Sequence, residues 1–162
     1  MTTYLPYTPS NLRYLIESTL KPLNLYSSNA EELLLATCAQ ESAFGTFRVQ
    51  SNGPARGIFQ MEKEDHDDIW TNYLKYHDDL SGQIKDLAGG NNTAEVLINN
   101  DPYAIAMARV HYARKPGTLP SATDLNGLWN YYKEYYNTPL GAATQGQFFH
   151  NYKYWVTDGQ AI

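Results

Sequence analysis

The sequence predicts an all-α domain, and three observations carry that prediction. Apolar residues recur at the i, i+3, i+4 spacing of a helix through most of the chain, and Ser, Thr or Asp precede these stretches. No segment shows the period-2 alternation that is typical of a half-buried strand. The 162 residues contain no repeat and no linker-like stretch, so residues 1–162 are expected to form a single domain.

Three amphipathic stretches are predicted in the first half of the chain. The first follows Ser10 and ends at Pro22, which cannot continue a helix. The second opens with Ser28-Asn29-Ala30-Glu31, a capping box, and is expected to reach Phe44. The third extends to Leu80 and has several acidic side chains in its first turns, where the helix dipole favours negative charge.

Four further helices are predicted in the second half. A short one is expected at 93–99. Asp101-Pro102 is typical of an N-cap followed by the first helical residue, and the segment after it is apolar on every side, as expected of a helix at the centre of the fold. The last two helices are expected to begin after Thr123 and at the capping box Thr144-Gln145-Gly146-Gln147.

Composition excludes several functional classes. With 12 Lys and Arg against 17 Asp and Glu, the net charge is −5, which argues against binding to nucleic acid or to anionic lipid. A single cysteine, Cys38, excludes a disulfide framework and a multi-cysteine zinc site. The chain has no apolar run of roughly 18 residues and no recognisable signal peptide, so we expect neither membrane insertion nor secretion by its own signal.

Glu41 is the first candidate for chemistry. Leu34, Cys38 and Glu41 share one face of the second predicted helix, so the carboxyl group lies on an apolar face near the helix C-terminus. Desolvation and the negative end of the helix dipole both raise the pKa of a carboxyl group, and a protonated carboxyl is a suitable general acid. The alternative is a Glu41 that faces solvent or pairs with Arg48.

A loop rich in glycine and proline follows Glu41 at 51–61. Apolar residues on both sides of Gln60 are expected to anchor this loop in the core, which would let the Gln60 amide point into a cleft and bind a sugar hydroxyl or acetamido group. The alternative is a buried loop without a ligand.

These two segments together resemble a known family. The sequence AQES, ending at Ser42, and the sequence GPARGIFQM, which contains Gly57 and Gln60, are similar to the first two motifs of lytic transglycosylases of the soluble lytic transglycosylase and goose-type lysozyme kind. The resemblance implies a lysozyme-like fold of about seven or eight helices with a substrate cleft. It also implies that Glu41 is the catalytic acid and base, that Ser42 supports it or contacts the sugar, and that Gly57 and Gln60 belong to the substrate-binding loop.

The later family motifs match less well. The third motif has a Tyr-Asn pair, of which this chain keeps Tyr112 as a substrate-binding candidate but has Ala113 in place of Asn. The family also has a late tyrosine near the catalytic Glu. Tyr154 is the nearest candidate for it, with Tyr135 and Tyr136 as alternatives.

The implied activity is cleavage of the β-1,4 bond between N-acetylmuramic acid and N-acetylglucosamine in peptidoglycan, with a 1,6-anhydro product and no cofactor. Residues 131–141 are similar to a segment of phage-encoded members, which implies a protein of the phage virion, or one released from the host cytoplasm, that acts on glycan strands of the cell wall. Other virion proteins are further candidate partners.

Two alternative functions stay open at this stage, and a third, a metal site, is disfavoured. A hydrolase of the same fold would activate water with Glu62, Glu64 or Asp65. A non-catalytic virion or tail protein could have the same fold without the activity. A metal site formed by His66 and His77 is disfavoured, because on one continuous helix these residues would lie about three turns apart.

Overall fold

The structure is a computed structural model that describes residues 2–159 and is mostly helical. The α-helices in this range are α1 (Pro9–Leu20), α2 (Ser28–Ser42), α3 (Lys63–Asn72), α4 (Asp78–Leu87), α5 (Asp101–Ala113), α6 (Leu125–Tyr132) and α7 (Gln145–Asn151). Two short strands, β1 (Ala55–Arg56) and β2 (Met61–Glu62), pair antiparallel. The expectation of an all-α fold is therefore confirmed at the level of class, and the strand pair escaped prediction because two residues are too few to show alternation.

Helices α2 and α5 form the centre of the molecule. Every residue of α2 from Ala30 to Ala39 is buried, and between Tyr103 and Tyr112 of α5 only Arg109 is partly exposed. Helix α5 contacts α1, α2, α3 and α4, while α2 also contacts α1, α6 and α7. The prediction of a central helix after Asp101-Pro102 is confirmed. Apolar side chains from all seven helices join one core.

The helix starts are close to those predicted but shifted by one or two residues. The observed N-caps are Thr8, Ser27, Asn100 and Asp124, in place of the predicted Ser10, Ser28, Asp101 and Thr123. Each observed cap accepts a hydrogen bond from a backbone N–H of the first turn. Adjacent polar residues are chemically equivalent caps, so the backbone path into the helix decides between them. The Thr144–Gln147 capping box is confirmed with both of its hydrogen bonds.

The third predicted stretch is wrong as one continuous helix. It is divided into α3, a 3₁₀ turn at Leu74–Tyr76, and α4. The His77 ring stacks on Tyr73 and lies 2.8 Å, Nδ1 to O, from the Tyr73 carbonyl. The apolar periodicity did not reveal this break because Ile69 and Ile84, on either side of it, are both buried in the same core.

Two helices continue as π-helix instead of ending. Helix α6 continues as a π-helix at Lys133–Asn137, and α7 continues at Tyr152–Thr157. A π-helix has wider turns than an α-helix and is frequent at functional sites. The predicted short helix at 93–99 is a 3₁₀-helix, Ala94–Ile98. Within residues 2–159, no helix combines the length and the apolar character needed to cross a membrane.

Candidate active site

Glu41 lies in the last turn of α2, at the edge of a cavity. The helix ends because Ala43, Phe44 and Gly45 all adopt positive φ angles of 50°, 59° and 91°. Such angles are costly for Ala and Phe. The fully buried Phe44 ring, stacked on Trp155, accompanies this conformation. The backbone therefore changes direction directly after Ser42, and the last turn of α2 lies at the edge of the core.

The cavity has a volume of about 440 Å³ and is lined mostly by polar side chains. Its lining residues are Glu41, Gln60, Met61, Glu62, Asp65, His111, Tyr136, Asn137 and Thr138. The sequence-predicted pair of Glu41 and Gln60 therefore meets in one cavity. Two of the three carboxylates considered for water activation, Glu62 and Asp65, also line it, whereas Glu64 does not.

The surroundings of Glu41 favour a protonated carboxyl group. Burial, as the largest cause, raises the pKa of Glu41 to about 7, and the negative charge of Glu62 acts in the same direction. The hydroxyl of Tyr132 donates a hydrogen bond to Glu41 Oε2, which opposes this rise because it stabilises the carboxylate. Arg48 does not pair with Glu41: its Nη2 lies 3.0 Å from Oδ2 of Asp101. At neutral pH the carboxyl group can therefore both give and accept a proton.

Ser42 connects α2 to the loop that contains Gln60. Its hydroxyl donates to the carbonyl of Ile58 (Oγ to O, 2.6 Å) and accepts from the N–H of Gly45 (2.8 Å). The residue is 1% exposed and does not line the cavity. Of the two roles that the resemblance implies for Ser42, its position fits support of the site and not contact with a sugar.

Gly57 shapes the Gln60 loop through its backbone. Its φ is +81°, and a Cβ atom at this position would lie 2.4 Å from the carbonyl oxygen of Leu97. Only glycine fits here without displacing a neighbour. The Gly57 carbonyl accepts from both the backbone N–H (3.0 Å) and the side-chain Nε2 (2.9 Å) of Gln60. Gly57 thus fixes the Gln60 side chain. The space that a Cβ atom would occupy at Gly57 is taken by the Leu97 carbonyl and not by the cavity.

The tyrosine that contacts Glu41 is Tyr132, not Tyr154. Tyr154 is 40% exposed and lies in a separate small cavity with His150, Lys153 and Asp158. Tyr132 is fully buried at the end of α6. Tyr132 was not among the late-tyrosine candidates Tyr154, Tyr135 and Tyr136, although its spacing of four from buried Leu128 could have identified an inward-facing residue.

The remaining tyrosine candidates have different positions. Tyr112 is 1% exposed, and its hydroxyl is 2.8 Å from that of Thr37, so it packs behind the cavity and does not line it. Tyr136 does line the cavity, and its hydroxyl donates to the carbonyl of Phe59 (2.6 Å). This bond ties the π-helix of residues 133–137 to the Gln60 loop.

His111 is a neutral member of the cavity wall. Its Nε2 lies 3.0 Å from the carbonyl oxygen of Tyr135, and burial lowers its pKa to about 4. Near pH 7 it therefore donates to that carbonyl and brings no positive charge to Glu41. Within residues 2–159, no three His, Cys, Asp or Glu side chains converge as metal ligands would.

The cavity adjoins further concave surface along the Gln60 loop. A second cavity of about 490 Å³ shares Gln60 and is lined by Phe47, Val49, Gln50 and Ser51. These residues lead to a third cavity of about 780 Å³ between the N-terminal segment and residues 49–56. The concave surface around Glu41 is thus extended on the Gln60 side, as an elongated ligand requires.

No protein-family model, no curated protein and no solved structure matches this chain. The site combines a partly buried carboxyl group with a pKa of about 7, a tyrosine donor, and a lining of polar and acidic residues.

Proposed function

We propose that the protein is a lytic transglycosylase that cleaves the β-1,4 bond between N-acetylmuramic acid and N-acetylglucosamine in peptidoglycan, with Glu41 as the single catalytic acid and base. The observation that carries this proposal is that Glu41 and Gln60 line one cavity, where partial burial raises the pKa of Glu41 to about 7. Its motif context, AQES followed by the Gly57–Gln60 loop, is additional support. The reaction needs no cofactor.

In this mechanism one carboxyl group makes two proton transfers. Glu41 protonates the glycosidic oxygen as the bond to C1 breaks, and the acetamido oxygen of the substrate stabilises the oxocarbenium-like centre at C1. The Glu41 carboxylate then takes the proton of the C6 hydroxyl, whose oxygen bonds to C1 and gives the 1,6-anhydro product. Tyr132 donates to the carboxylate and so stabilises the state between the two transfers.

The cavity and the net charge suit a ligand held by hydrogen bonds. With a charge of −5, the chain gains no long-range attraction to an anionic wall polymer. Binding would therefore depend on local contacts or on a partner that brings the protein to the wall. A phage protein that is carried in the virion or released from the host cytoplasm would meet this requirement, and residues 131–141 support that origin by resemblance.

A hydrolase of the same fold is the second candidate, and one observation favours it. Glu62 and Asp65 line the cavity of Glu41, and burial raises the pKa of Asp65. A second carboxylate in the cleft could activate water in place of the C6 hydroxyl. The product would then have a reducing end and no anhydro ring.

Digestion of purified sacculi, with products identified by mass spectrometry, tests both candidates. Wild type should release anhydro-muropeptides, and Glu41→Gln should lower the rate by about 100-fold or more, the usual contribution of a general acid. Glu17→Gln, the same change on the outer face of α1, is the matched control and should be fully active. Reducing-end products that disappear in Glu62→Gln or Asp65→Asn would favour the hydrolase. No soluble product from wild type would contradict both enzymatic candidates and favour a structural virion protein.

A further inference from the structure

Lys133 organises one wall of the Glu41 cavity. Its ammonium group donates to Oδ1 of Asn137 (2.8 Å), to the carbonyl of Gly141 (2.7 Å) and to the carbonyl of Ala143 (2.9 Å). An ammonium group has three hydrogens, and each has an acceptor here. Lys133 thus joins the π-helix to the loop that follows it and fixes the position of Asn137, which lines the cavity.

This contact also decides which way the Asn137 amide points. An ammonium group only donates, so the amide atom facing Lys133 has to be the oxygen. Gly141 lies directly against the same side chain, since a Cβ at that position would be 2.4 Å from Asn137 Oδ1. Within residues 2–159, Nδ2 of Asn137 donates no hydrogen bond. Its two N–H groups are therefore the part of the amide left for a ligand.

Gln60 presents the opposite polarity. Its Nε2 donates to the Gly57 carbonyl, so the oxygen is the part of its amide left for a ligand. Both residues line the cavity that contains Glu41. One cavity thus offers a fixed amide donor at Asn137 and a fixed amide acceptor at Gln60, beside the carboxyl group.

We propose that Asn137 is a substrate-binding residue that donates a hydrogen bond to the carbonyl oxygen of an N-acetyl group, and that Lys133 is the positioning residue that orients it. An acetamido group carries one carbonyl acceptor and one N–H donor, which are the partners that Asn137 and Gln60 lack. The inference rests on the proposed function, because the ligand is taken to be an N-acetylhexosamine. Asn137 would also give the cleft a side-chain amide, which the chain lacks at Ala113, where the family resemblance expects Asn.

Asn137→Asp tests this inference with little change in shape. The aspartate keeps the oxygen that accepts from Lys133 but has no N–H to donate. Binding of tri-N-acetylchitotriose and of cellotriose, which has hydroxyl groups in place of the acetamido groups, would be measured by isothermal titration calorimetry. Wild type should prefer the N-acetylated sugar. Asn137→Asp should lose about tenfold in affinity for it, while its affinity for cellotriose changes little.

Two further variants separate a binding role from a structural one. Lys133→Met should also reduce the preference for the N-acetylated sugar, and should add little to the loss in Asn137→Asp, because both changes remove the same oriented donor. Asn130→Asp, an exposed site on α6, controls for the added negative charge and should bind like wild type.

The outcomes distinguish this inference from the proposed function. An unchanged preference in Asn137→Asp, or a wild type that binds neither sugar, would overturn the role of Asn137. If wild type cleaves sacculi but Asn137→Asp keeps its preference, only the inference fails. If wild type prefers the N-acetylated sugar through Asn137 but releases no product from sacculi, only the proposed catalytic function fails.

Discussion

The two ends of α2 hold glutamates in opposite surroundings. At its N-terminal end, Nη1 of Arg13 lies 2.8 Å from both Glu31 Oε2 and Glu32 Oε2, and the hydroxyl groups of Tyr26 and Tyr152 donate to the same two carboxylates. At its C-terminal end, Glu41 has the hydroxyl of Tyr132 and, within residues 2–159, no ion-pair partner.

The contrast separates carboxyl groups that join elements of the fold from one that is available for proton transfer. The carboxyl groups of Glu31 and Glu32 accept hydrogen bonds from one guanidinium and from two tyrosine hydroxyls. The negative end of the dipole and burial without a cation disfavour the ionised form of Glu41. Carboxylates of the first kind hold elements together, because α1, α2 and the π-helix of residues 152–157 meet at them. A carboxyl of the second kind is costly to the fold and available for proton transfer.

The largest expected effect on stability comes from Glu41→Gln. Burial raises the pKa of Glu41 in the folded state to about 7 from 4.5, so its contribution to stability is complete below pH 4.5 and is lost as the pH rises through 7. Gln remains neutral at every pH. The variant should match wild type at pH 4 and exceed its free energy of unfolding by about 3 kcal/mol at pH 8, as measured by urea denaturation.

Glu17→Gln is the control for this experiment, because Glu17 pairs with Lys21 on the surface of α1. Its difference from wild type should stay small and should not grow from pH 4 to pH 8. A stability difference for Glu41→Gln that is the same at both pH values would contradict the assignment of a raised pKa to Glu41.

Arg13→Met should destabilise the other end of the helix by about 2 kcal/mol at pH 7. It removes the cation from two buried carboxylates, which usually costs 3–5 kcal/mol at a fully buried site, and the partial exposure of Arg13 reduces that cost. Lys21→Met, which removes an exposed ion pair, should cost less than about 1 kcal/mol. Wall cleavage per folded molecule should be unchanged in both variants, and a specific loss of activity in Arg13→Met would mean that the two ends of α2 are coupled.

Tyr132→Phe should have the smallest effect on stability of these variants. It should increase the difference between Glu41 and the glutamates at the other end of α2, because it removes the hydrogen bond that favours the Glu41 carboxylate. The hydrogen bond from Tyr132 favours the carboxylate, so its removal should raise the pKa of Glu41 above its value of about 7. NMR titration of a labelled Glu41 measures this directly, and the alkaline limb of the pH–rate profile should move in the same direction. Tyr135→Phe, in the π-helix that continues α6, is the matched control. A downward shift would show that Tyr132 stabilises the protonated form.

Local sequence patterns predicted much of the fold. The predictions that were wrong concern features that depend on tertiary contacts. The Thr144–Gln147 capping box and the central helix at 101–113 depend on neighbouring residues only, and both predictions are confirmed. The break between α3 and α4 falls at a 3₁₀ turn whose Leu74 is buried in the common core, and apolar periodicity carried no sign of it. The predicted N-caps were displaced for a similar reason, since the approach of the chain selects among adjacent polar residues.

The candidate site shows the same division. Glu41 and Gln60 were identified from their motifs, and the structure brings them to one cavity. The contact between Tyr132 and Glu41 joins residues 91 positions apart. Helical spacing could mark Tyr132 as inward-facing, but nothing local to the sequence shows that it meets Glu41. Asn137 was not among the candidates either, because its relevance depends on Lys133 and on a π-helix that sequence does not predict.

The sequence by itself determined the class of fold and the apolar face that carries Glu41. These follow from helix periodicity and capping, which act over a few residues. Only the tertiary structure decided that Arg48 pairs with Asp101 and leaves Glu41 without a cation, that Tyr132 is its hydrogen-bond donor, and that Asn137 shares its cavity. A carboxyl pKa depends on burial and on charges from several elements at once, so the chemistry of Glu41 is set by packing and not by its neighbours in the chain.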